Sequence, residues 1–332
     1  MGATQTSAIA TPAPSPVVVL TGASSGIGRA TARALARRGA ALILAARDRE
    51  ALDEVAAECR KLGADTLAVS ADVTDPQAVR AVAHAAIARY RRIDVWINNV
   101  GVGAVGRFDQ VPLDVHRRVI ETNLIGHLNG AHIALLHFRE RGRGTLINMV
   151  SIGGWVSAPY AAAYTASKFG LRGFGQSLRA ELSNAPRIHV CDVFPGFVDT
   201  PGMSHGANYT RRFVRPLPPL LSPEVVAQRI VGLIDRPRPV LTIGSAAHIG
   251  RLTRSFAPEL RGAIARRVFD FLLSRTHSSP QTEGNLFDVS RGHDVHGGFR
   301  GPSYAPLWLA AGGLLGAIAV VALAARARRS AH

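Results

Sequence analysis

Near its start the chain carries, in immediate succession, the patterns of a β-strand, a glycine-rich turn and a helix. Val17 to Leu20 form a short apolar run, and Arg29 to Arg38 has apolar and small residues at helical spacing. Between them lies Thr21-Gly22-Ala23-Ser24-Ser25-Gly26-Ile27-Gly28. Such a turn lets the backbone approach a pyrophosphate at the start of a helix. The pattern predicts an α/β domain that binds a dinucleotide.

Strand and helix patterns go on alternating along most of the chain. Helices are predicted at Asp48–Lys61, Asp75–Tyr90, Leu113–Arg141 and Ala161–Leu182, and strands at Ala41–Ala45, Thr66–Ser70, Val95–Asn98, Thr145–Val150 and Ile188–Phe194. Alternation of this kind implies parallel pairing with right-handed crossovers. We therefore expect one doubly wound, Rossmann-type parallel sheet with helices on both faces, over residues 16–250.

A tyrosine and a lysine four residues apart are the second informative feature. Lys61 and Lys168 are the only lysines in the chain, so a pair such as Tyr164 and Lys168 is expected by chance only roughly 0.03 times. Positions i and i+4 share one face of a helix. A neighbouring ammonium favours the phenolate, which would lower the pKa of Tyr164 into a range useful for proton transfer. A solvated pair on an amphipathic helix would give the same spacing.

Several motifs, taken in order, resemble those of the classical short-chain dehydrogenases/reductases from roughly Val17 to Ile243. They are the glycine turn, Asp72-Val73, Asn98-Asn99-Val100-Gly101, Asn123, Ser151, Tyr164 with Lys168, and Pro195-Gly196. Val100 stands where the family usually has alanine, and the substitution removes no functional group. The resemblance implies an oxidoreductase that interconverts a ketone or aldehyde and an alcohol.

The resemblance also implies roles for individual residues. Tyr164 would exchange a proton with the substrate, Ser151 would orient the carbonyl, and Lys168 would lower the phenol's pKa and bind the nicotinamide ribose. Asn123 would hold a water that continues the proton path. The predicted cofactor-binding residues are Gly22, Ser24, Gly26, Ile27, Gly28, Arg47, Asp72, Val73, Asn99, Gly101, Tyr164, Lys168, Val198 and Thr200. No metal site is predicted.

The end of the second predicted strand bears on the choice of cofactor. A carboxylate at position 46 would accept hydrogen bonds from the adenosine ribose and repel a 2′-phosphate, but the residue there is Ala46. Arg47 follows immediately, and its guanidinium is suited to a phosphate. The sequence thus favours NADP(H), although a solvated arginine in an arginine-rich chain is the alternative.

An irregular stretch rich in glycine and proline, at about residues 200–223, predicts a lid over the substrate. Its apolar residues either line an apolar pocket or pack the lid onto the core; they are Met203, Phe213, Val214, Leu217, Leu220 and Leu221. If they line the pocket, the substrate is an apolar, lipid-like carbonyl compound or alcohol.

The C-terminal region extends beyond this plan. Residues 251–275 predict a basic helical extension that lies on a membrane surface or packs on the core, and residues 276–306 predict a linker. Residues 307–325 form a run of 19 uncharged residues, about the length that spans a bilayer. We expect a transmembrane helix there, with a buried helix or a dimerisation segment as alternatives. A basic tail, 326–332, follows.

Localisation and partners are predicted from the ends and the charge of the chain. Residues 1–15 have the character of a flexible tail and lack the features of a signal peptide, so the catalytic domain is expected at a membrane and facing the cytoplasm. The net charge of +16 is spread along the chain without a nucleic-acid motif, which favours lipid over nucleic acid. The sequence is compatible with a homo-oligomer. The rival hypothesis is a non-catalytic NADP(H)-binding regulatory or scaffold protein at the membrane.

Overall fold

Residues 15–255, 258–289 and 292–300 are described by a computed structural model. The strands in these ranges are β1 (Val17–Thr21), β2 (Ala41–Ala46), β3 (Thr66–Ser70), β4 (Val95–Asn98), β5 (Ala104–Val105), β6 (Gly144–Met149), β7 (Ile188–Pro195), β8 (Ala207–Asn208) and β9 (Val240–Ile243). The helices are α1 (Gly26–Ala36), α2 (Arg49–Lys61), α3 (Pro76–Tyr90), α4 (Leu113–Ile120), α5 (Gly126–Arg141), α6 (Ala162–Glu181), α7 (Gly202–His205), α8 (Pro223–Asp235), α9 (Ser245–Thr253) and α10 (Pro258–Ser274).

Within the described ranges, seven strands form one parallel sheet in the order β3-β2-β1-β4-β6-β7-β9. Side chains alternate between its two faces. Val18 and Leu20 of β1 pack into a core with residues of α1, α2 and α8, whereas Val17 and Val19 pack with residues of α3, α5 and α6. Burial on both sides explains why the central strands are continuous apolar runs. The predicted doubly wound sheet is confirmed.

Two of the predicted helices begin at aspartates that cap them. The Asp48 carboxylate accepts a hydrogen bond from the Ala51 N–H (3.1 Å), and the Asp75 carboxylate accepts one from the Gln77 N–H (2.8 Å). Such caps satisfy backbone donors that have no partner within the helix. They fix the starts of α2 and α3, and so the positions of the loops that follow β2 and β3.

The predicted long helix over 113–141 is interrupted by a π-helical turn, Glu121–Ile125, between α4 and α5. Asn123 lies in this turn and is fully buried. Its side-chain amide pairs with the backbone of Val102, accepting from the N–H (2.8 Å) and donating to the carbonyl (2.9 Å). A widened turn of this kind accompanies functional positions in many helices.

Residues 276–289 and 292–300 differ from the linker that the sequence predicts. They pack on the catalytic domain through isolated antiparallel bridges, which join Asn208 to Thr282 and Arg212 to Ser278. Leu286, Val295 and Phe299 are buried in this segment. These three buried residues are scattered among glycine, serine, histidine and aspartate and follow neither a helical nor a strand period. This explains why the sequence pattern indicates a linker.

The extension predicted at 251–275 contains α10. The Tyr160 hydroxyl donates to Asp270 (2.6 Å), and the Tyr160 ring lies 5.2 Å from that of Phe269. Leu260 and Phe271 remain about half exposed on the same helix. No helix in the described ranges is long and apolar enough to cross a membrane. The predicted span at 307–325 and the basic tail at 326–332 lie outside the described residues, as do residues 1–14 of the predicted N-terminal tail.

Candidate active site

The predicted site residues come together at the carboxyl edge of the sheet. The glycine turn follows β1, Arg47 follows β2, Asn99 follows β4 and Ser151 lies just after β6. Open α/β sheets bind ligands at this edge. We call Ser151, Tyr164, Lys168 and Asn123 the catalytic end of the site, and Gly26, Arg29 and Arg47 the phosphate end.

The glycine turn has a geometry that favours glycine at two positions and requires it at a third. Gly22 and Gly26 have φ angles of 65° and 52°, in the left-handed region. A Cβ atom on Gly28 would overlap the carbonyl oxygen of Gly22. Asn99 holds the turn in place, because its side-chain amide donates to the Gly22 carbonyl (3.0 Å) and its N–H donates to the Thr21 hydroxyl (3.1 Å).

This turn fits the phosphates of a dinucleotide. It delivers the chain into the N-terminus of α1, where the first backbone N–H groups have no partner within the helix. Ser24 lies in the turn, and Ile27 packs against the core beside it. Across the turn, the side chain of Thr200 would be 3.3 Å from a Cβ on Gly26. Val198 forms a bridge with Leu221, which ties this loop to the predicted lid.

At the catalytic end, the Ser151 hydroxyl and the Tyr164 ring lie next to each other, since a Cβ on Gly153 would be 3.0 Å from a ring carbon of Tyr164 and 3.7 Å from the Ser151 Oγ. The Ser151 hydroxyl accepts a hydrogen bond from the Gly153 N–H (3.1 Å). The backbone of Ser151 has a φ angle of 127°, an unfavourable conformation for a residue with a side chain. The local fold therefore holds this hydroxyl against the phenol at some cost in backbone strain.

Lys168 lies on the same face of α6 as Tyr164, but it contacts a different partner. Its ammonium donates to the Met149 carbonyl (3.0 Å) and lies 5.7 Å from the centre of the tyrosine ring. The side chain is only 3% exposed. A Cβ on Gly101 would be 3.6 Å from Lys168 Nζ and 4.0 Å from the Asn123 side-chain oxygen. The lysine, Asn123 and the loop after β4 thus meet at one point.

The pKa values of this pair differ from the expectation of an acidified phenol. Burial raises the pKa of Tyr164, and the hydrogen bond from Ser151 lowers it only in part. Burial lowers the pKa of Lys168 to about 7. The cause is that both groups are withdrawn from water, which disfavours the charged form of each. The phenol is therefore protonated at neutral pH, as a proton donor must be.

His127 is a residue at the catalytic end that the sequence motifs do not predict. It is 1% exposed, and its Nε2 lies 2.9 Å from the Val100 carbonyl, to which a neutral ring donates. Burial and the charge of Lys168 lower the pKa of His127 to about 3. It thus supports the loop after β4 as a neutral ring. Its position one turn after Asn123 is the only signal that the sequence offers.

At the phosphate end, Arg47 and a second arginine, Arg118, donate to the same backbone carbonyl, that of Leu286. Arg118 pairs with Asp72 (2.6 Å) and donates to the Thr74 hydroxyl (2.9 Å). Next to Asp72, the carbonyl of Val73 accepts from the Asn129 amide (2.9 Å). The Asp72 carboxylate therefore forms an ion pair with the Arg118 side chain. Arg118 comes from α4, far from Asp72 in the chain, and no motif identifies it.

Comparison with known proteins gives concordant results. The profile of the short chain dehydrogenase family matches residues 16–209. The chain is 34% identical over 290 residues to the uncharacterized oxidoreductase YxnA of Bacillus subtilis (strain 168), covering 84% of this chain and 80% of that protein.

Two solved structures are similar in fold. An alcohol dehydrogenase from the archaeon Thermococcus sibiricus, complexed with 5-hydroxy-NADP, has a TM-score of 0.60 and 28% identity, covering 69% of this chain and 94% of that one. Actinorhodin polyketide ketoreductase with NADPH has a TM-score of 0.65 and 30% identity, covering 70% and 97%. The motifs, the doubly wound sheet and these similarities agree: the chain belongs to the short-chain dehydrogenase family, oxidoreductases that act on CH–OH and C=O groups.

Proposed function

We propose that the protein is an NADP(H)-dependent oxidoreductase that interconverts an apolar ketone or aldehyde and its alcohol. The observation that carries the proposal is that Ser151 and the Tyr164 phenol lie together beside the buried Lys168, at the same edge as the glycine turn. Proton exchange at a carbonyl oxygen requires a positioned acid, and this phenol is protonated at neutral pH.

The proposed mechanism assigns one step to each residue at the catalytic end. The Ser151 hydroxyl would orient the substrate oxygen. During reduction the Tyr164 hydroxyl would donate its proton to that oxygen, and during oxidation the deprotonated Tyr164 would take up the proton of the alcohol. Lys168 would hold the nicotinamide ribose and help to return a proton to the phenolate after reduction or to remove one from the phenol before oxidation. Asn123 supports that path next to Gly101. When bound, the dinucleotide supplies or accepts the hydride.

Specificity for NADP(H) rests on the phosphate end of the site. Ala46 offers no carboxylate to a ribose hydroxyl, and the guanidinium of Arg47 lies at the end of β2. The two similar solved structures contain NADPH and a derivative of NADP, which supports the same choice. A fork of donors binds a phosphate more strongly than it binds a hydroxyl.

The apolar substrate is inferred from the predicted lid. Val214 and Leu220 are buried, and Leu221 packs against the core, so these three residues hold the lid in place. Met203 and Leu217 are only partly buried and are the better candidates for lining a pocket. Substitution of either by aspartate should lower the affinity for an apolar ketone.

Membrane association is part of the same proposal. We infer it from the apolar sequence at 307–325 and from the half-exposed Leu260 and Phe271 of the basic helix α10, with the catalytic domain on the cytoplasmic side. Co-flotation of the full chain with vesicles containing anionic lipid would support this placement. Failure of the chain to float with such vesicles would contradict it.

The direct test of function is a substrate panel of ketosteroids, retinoids, long-chain aldehydes and small ketones, with the full chain in detergent. NADPH absorbance should fall with at least one apolar carbonyl compound, and NADH should be the poorer cofactor. Tight binding of NADPH without turnover of any compound, in either direction, would instead support the non-catalytic binding protein. Equal turnover with NADH would contradict the role of Arg47.

A further inference from the structure

Residues 283–289 and 292–299, which we call the strap, cross the phosphate end of the site. The guanidinium of Arg47 donates to three strap carbonyls, those of Asn285 (2.6 Å), Leu286 (3.1 Å) and Asp288 (2.9 Å). Arg118 also donates to the carbonyl of Leu286 (3.1 Å). Both terminal nitrogens of the arginine that is expected to bind a 2′-phosphate thus donate to backbone oxygens of the same chain.

The strap also contacts the glycine turn. The Gly26 N–H, at the start of α1, donates to the carbonyl of Asp294 (3.0 Å), and Arg29 donates to the carbonyl of His293 (2.8 Å). The carboxylates of Asp288 and Asp294 lie near enough to Arg47 and Arg29 to stabilise their charges. Carbonyl oxygens and carboxylates therefore stand where phosphate oxygens would be bound.

A third contact fixes the end of the strap beside the loop after β7. The N–H groups of Gly297 and Phe299 donate to the carbonyl (3.2 Å) and the carboxylate (2.8 Å) of Asp199. A Cβ on Gly297 would lie 2.5 Å from the carbonyl oxygen of Thr200. Only glycine allows the strap to approach Thr200, a predicted cofactor-binding residue, this closely.

The strap has three buried side chains, and we call Leu286 its anchor because it packs beside the catalytic end. Leu286 is fully buried in a cluster with Val102, Val115 and Ala163, against which Tyr164 packs. The next residue, Phe287, is 43% exposed. Burial of a leucine provides a driving force for docking that the exposed neighbour does not provide.

We propose that the strap is an intramolecular competitor of the cofactor, and that it must leave the phosphate end before NADP(H) can bind. The inference rests on the proposed NADP(H) site. Donors that point at strap carbonyls cannot also point at phosphates, so docking of the strap and binding of the dinucleotide exclude each other. The apparent affinity for the cofactor is then the intrinsic affinity multiplied by the fraction of molecules whose strap is released.

The test compares Leu286→Ser with Phe287→Ser in the full chain. Both variants replace an apolar residue of the strap by serine without a change of charge, but only the first removes the anchor. We expect Leu286→Ser to bind NADPH at least about tenfold more tightly than the wild type in a fluorescence titration, and Phe287→Ser to stay within about twofold. Equal affinity of all three proteins would overturn the competition and leave the proposed cofactor intact. Absence of NADPH binding by all three would overturn both.

Hydrogen exchange of the wild type provides a second measurement that needs no variant. Saturating NADPH should increase exchange at the strap amides of Asn285, Gly297 and Phe299, which are hydrogen-bonded in the docked strap. Slower exchange at these amides on addition of NADPH would mean that the strap closes over the dinucleotide. That result would overturn the proposal.

Discussion

At the catalytic end of the site, the polar groups are held by the catalytic domain itself, whereas at the phosphate end they are held by the strap. Lys168 donates to the carbonyl of Met149, and Asn123 pairs with the backbone of Val102. Arg47 and the Gly26 N–H donate to carbonyls more than two hundred residues later in the chain. The proposed catalytic groups are therefore preorganised, whereas the proposed phosphate donors would have to exchange one partner for another.

In this molecule the contacts that hold the catalytic groups in place are different from those that control access to the phosphate end. The groups proposed to move protons have partners within the body of the fold, which would keep their geometry fixed when a substrate enters. The groups proposed to bind phosphate instead donate to the strap, which is anchored by few apolar residues. Changes at the catalytic end should thus alter turnover, and changes at the phosphate end should alter cofactor affinity.

The largest effect among the variants that probe this contrast is expected for Ser151→Ala. The variant lacks the hydroxyl that is proposed to orient the substrate oxygen beside the phenol, so kcat should fall by about 10²–10³. The dissociation constant for NADPH should change less than about twofold, because Ser151 belongs to the catalytic end. Ser177→Ala, at an exposed position of α6, is the control and should retain full activity. An unchanged kcat for Ser151→Ala would contradict the catalytic role proposed for Ser151.

Arg47→Asp should change the affinity for NADPH and leave kcat unchanged. A charge-assisted contact to phosphate contributes about 1.5–3 kcal/mol, so the dissociation constant for NADPH should rise about 10–100-fold, while that for NADH stays the same or falls. The NADPH titration should be made in the Leu286→Ser variant. There the strap is already released, so its release by Arg47→Asp cannot mask the loss of NADPH affinity. Arg49→Asp makes the same change of charge two residues away, at a well-exposed arginine, and should have little effect. An equal loss of NADPH affinity in Arg47→Asp and Arg49→Asp would indicate a general effect of charge and would contradict the role proposed for Arg47.

Lys168→Met tests the burial of the ammonium through stability. The pKa of Lys168 is lowered by burial to about 7, and an unfolded lysine titrates near 10.4. Between these values the unfolded chain binds one more proton, so the free energy of unfolding of the wild type should rise relative to the variant by about 1.4 kcal/mol per pH unit. Below pH 7 the difference should be constant, with the variant more stable. A difference that does not depend on pH from 7 to 10 would contradict the burial.

Much of this site could be predicted from the sequence, because its chemistry lies in local patterns. The glycine turn, the capping aspartates of α2 and α3 and the spacing of Tyr164 and Lys168 are set by neighbours in the chain. Parallel strands place the loops that follow them at one edge of the sheet, so the edge at which these residues meet could also be predicted. Their proposed roles in catalysis and cofactor binding remain predictions.

The rest could not be predicted because it depends on tertiary burial and distant partners. The direction of the pKa shift at Tyr164 is set by burial of the phenol, which outweighs the opposite effect of Ser151. The π turn at Asn123 is fixed by a backbone pairing with Val102. The strap docks through carbonyl oxygens, which every residue carries, and through a few isolated apolar side chains.

The most direct test of the central claim is to measure turnover and NADPH affinity in Tyr164→Phe. The variant keeps the ring and removes only the hydroxyl that transfers the proton. The account predicts that turnover falls by at least about 10²-fold while the dissociation constant for NADPH stays within about twofold of the wild type. Turnover within a few-fold of the wild type would contradict it.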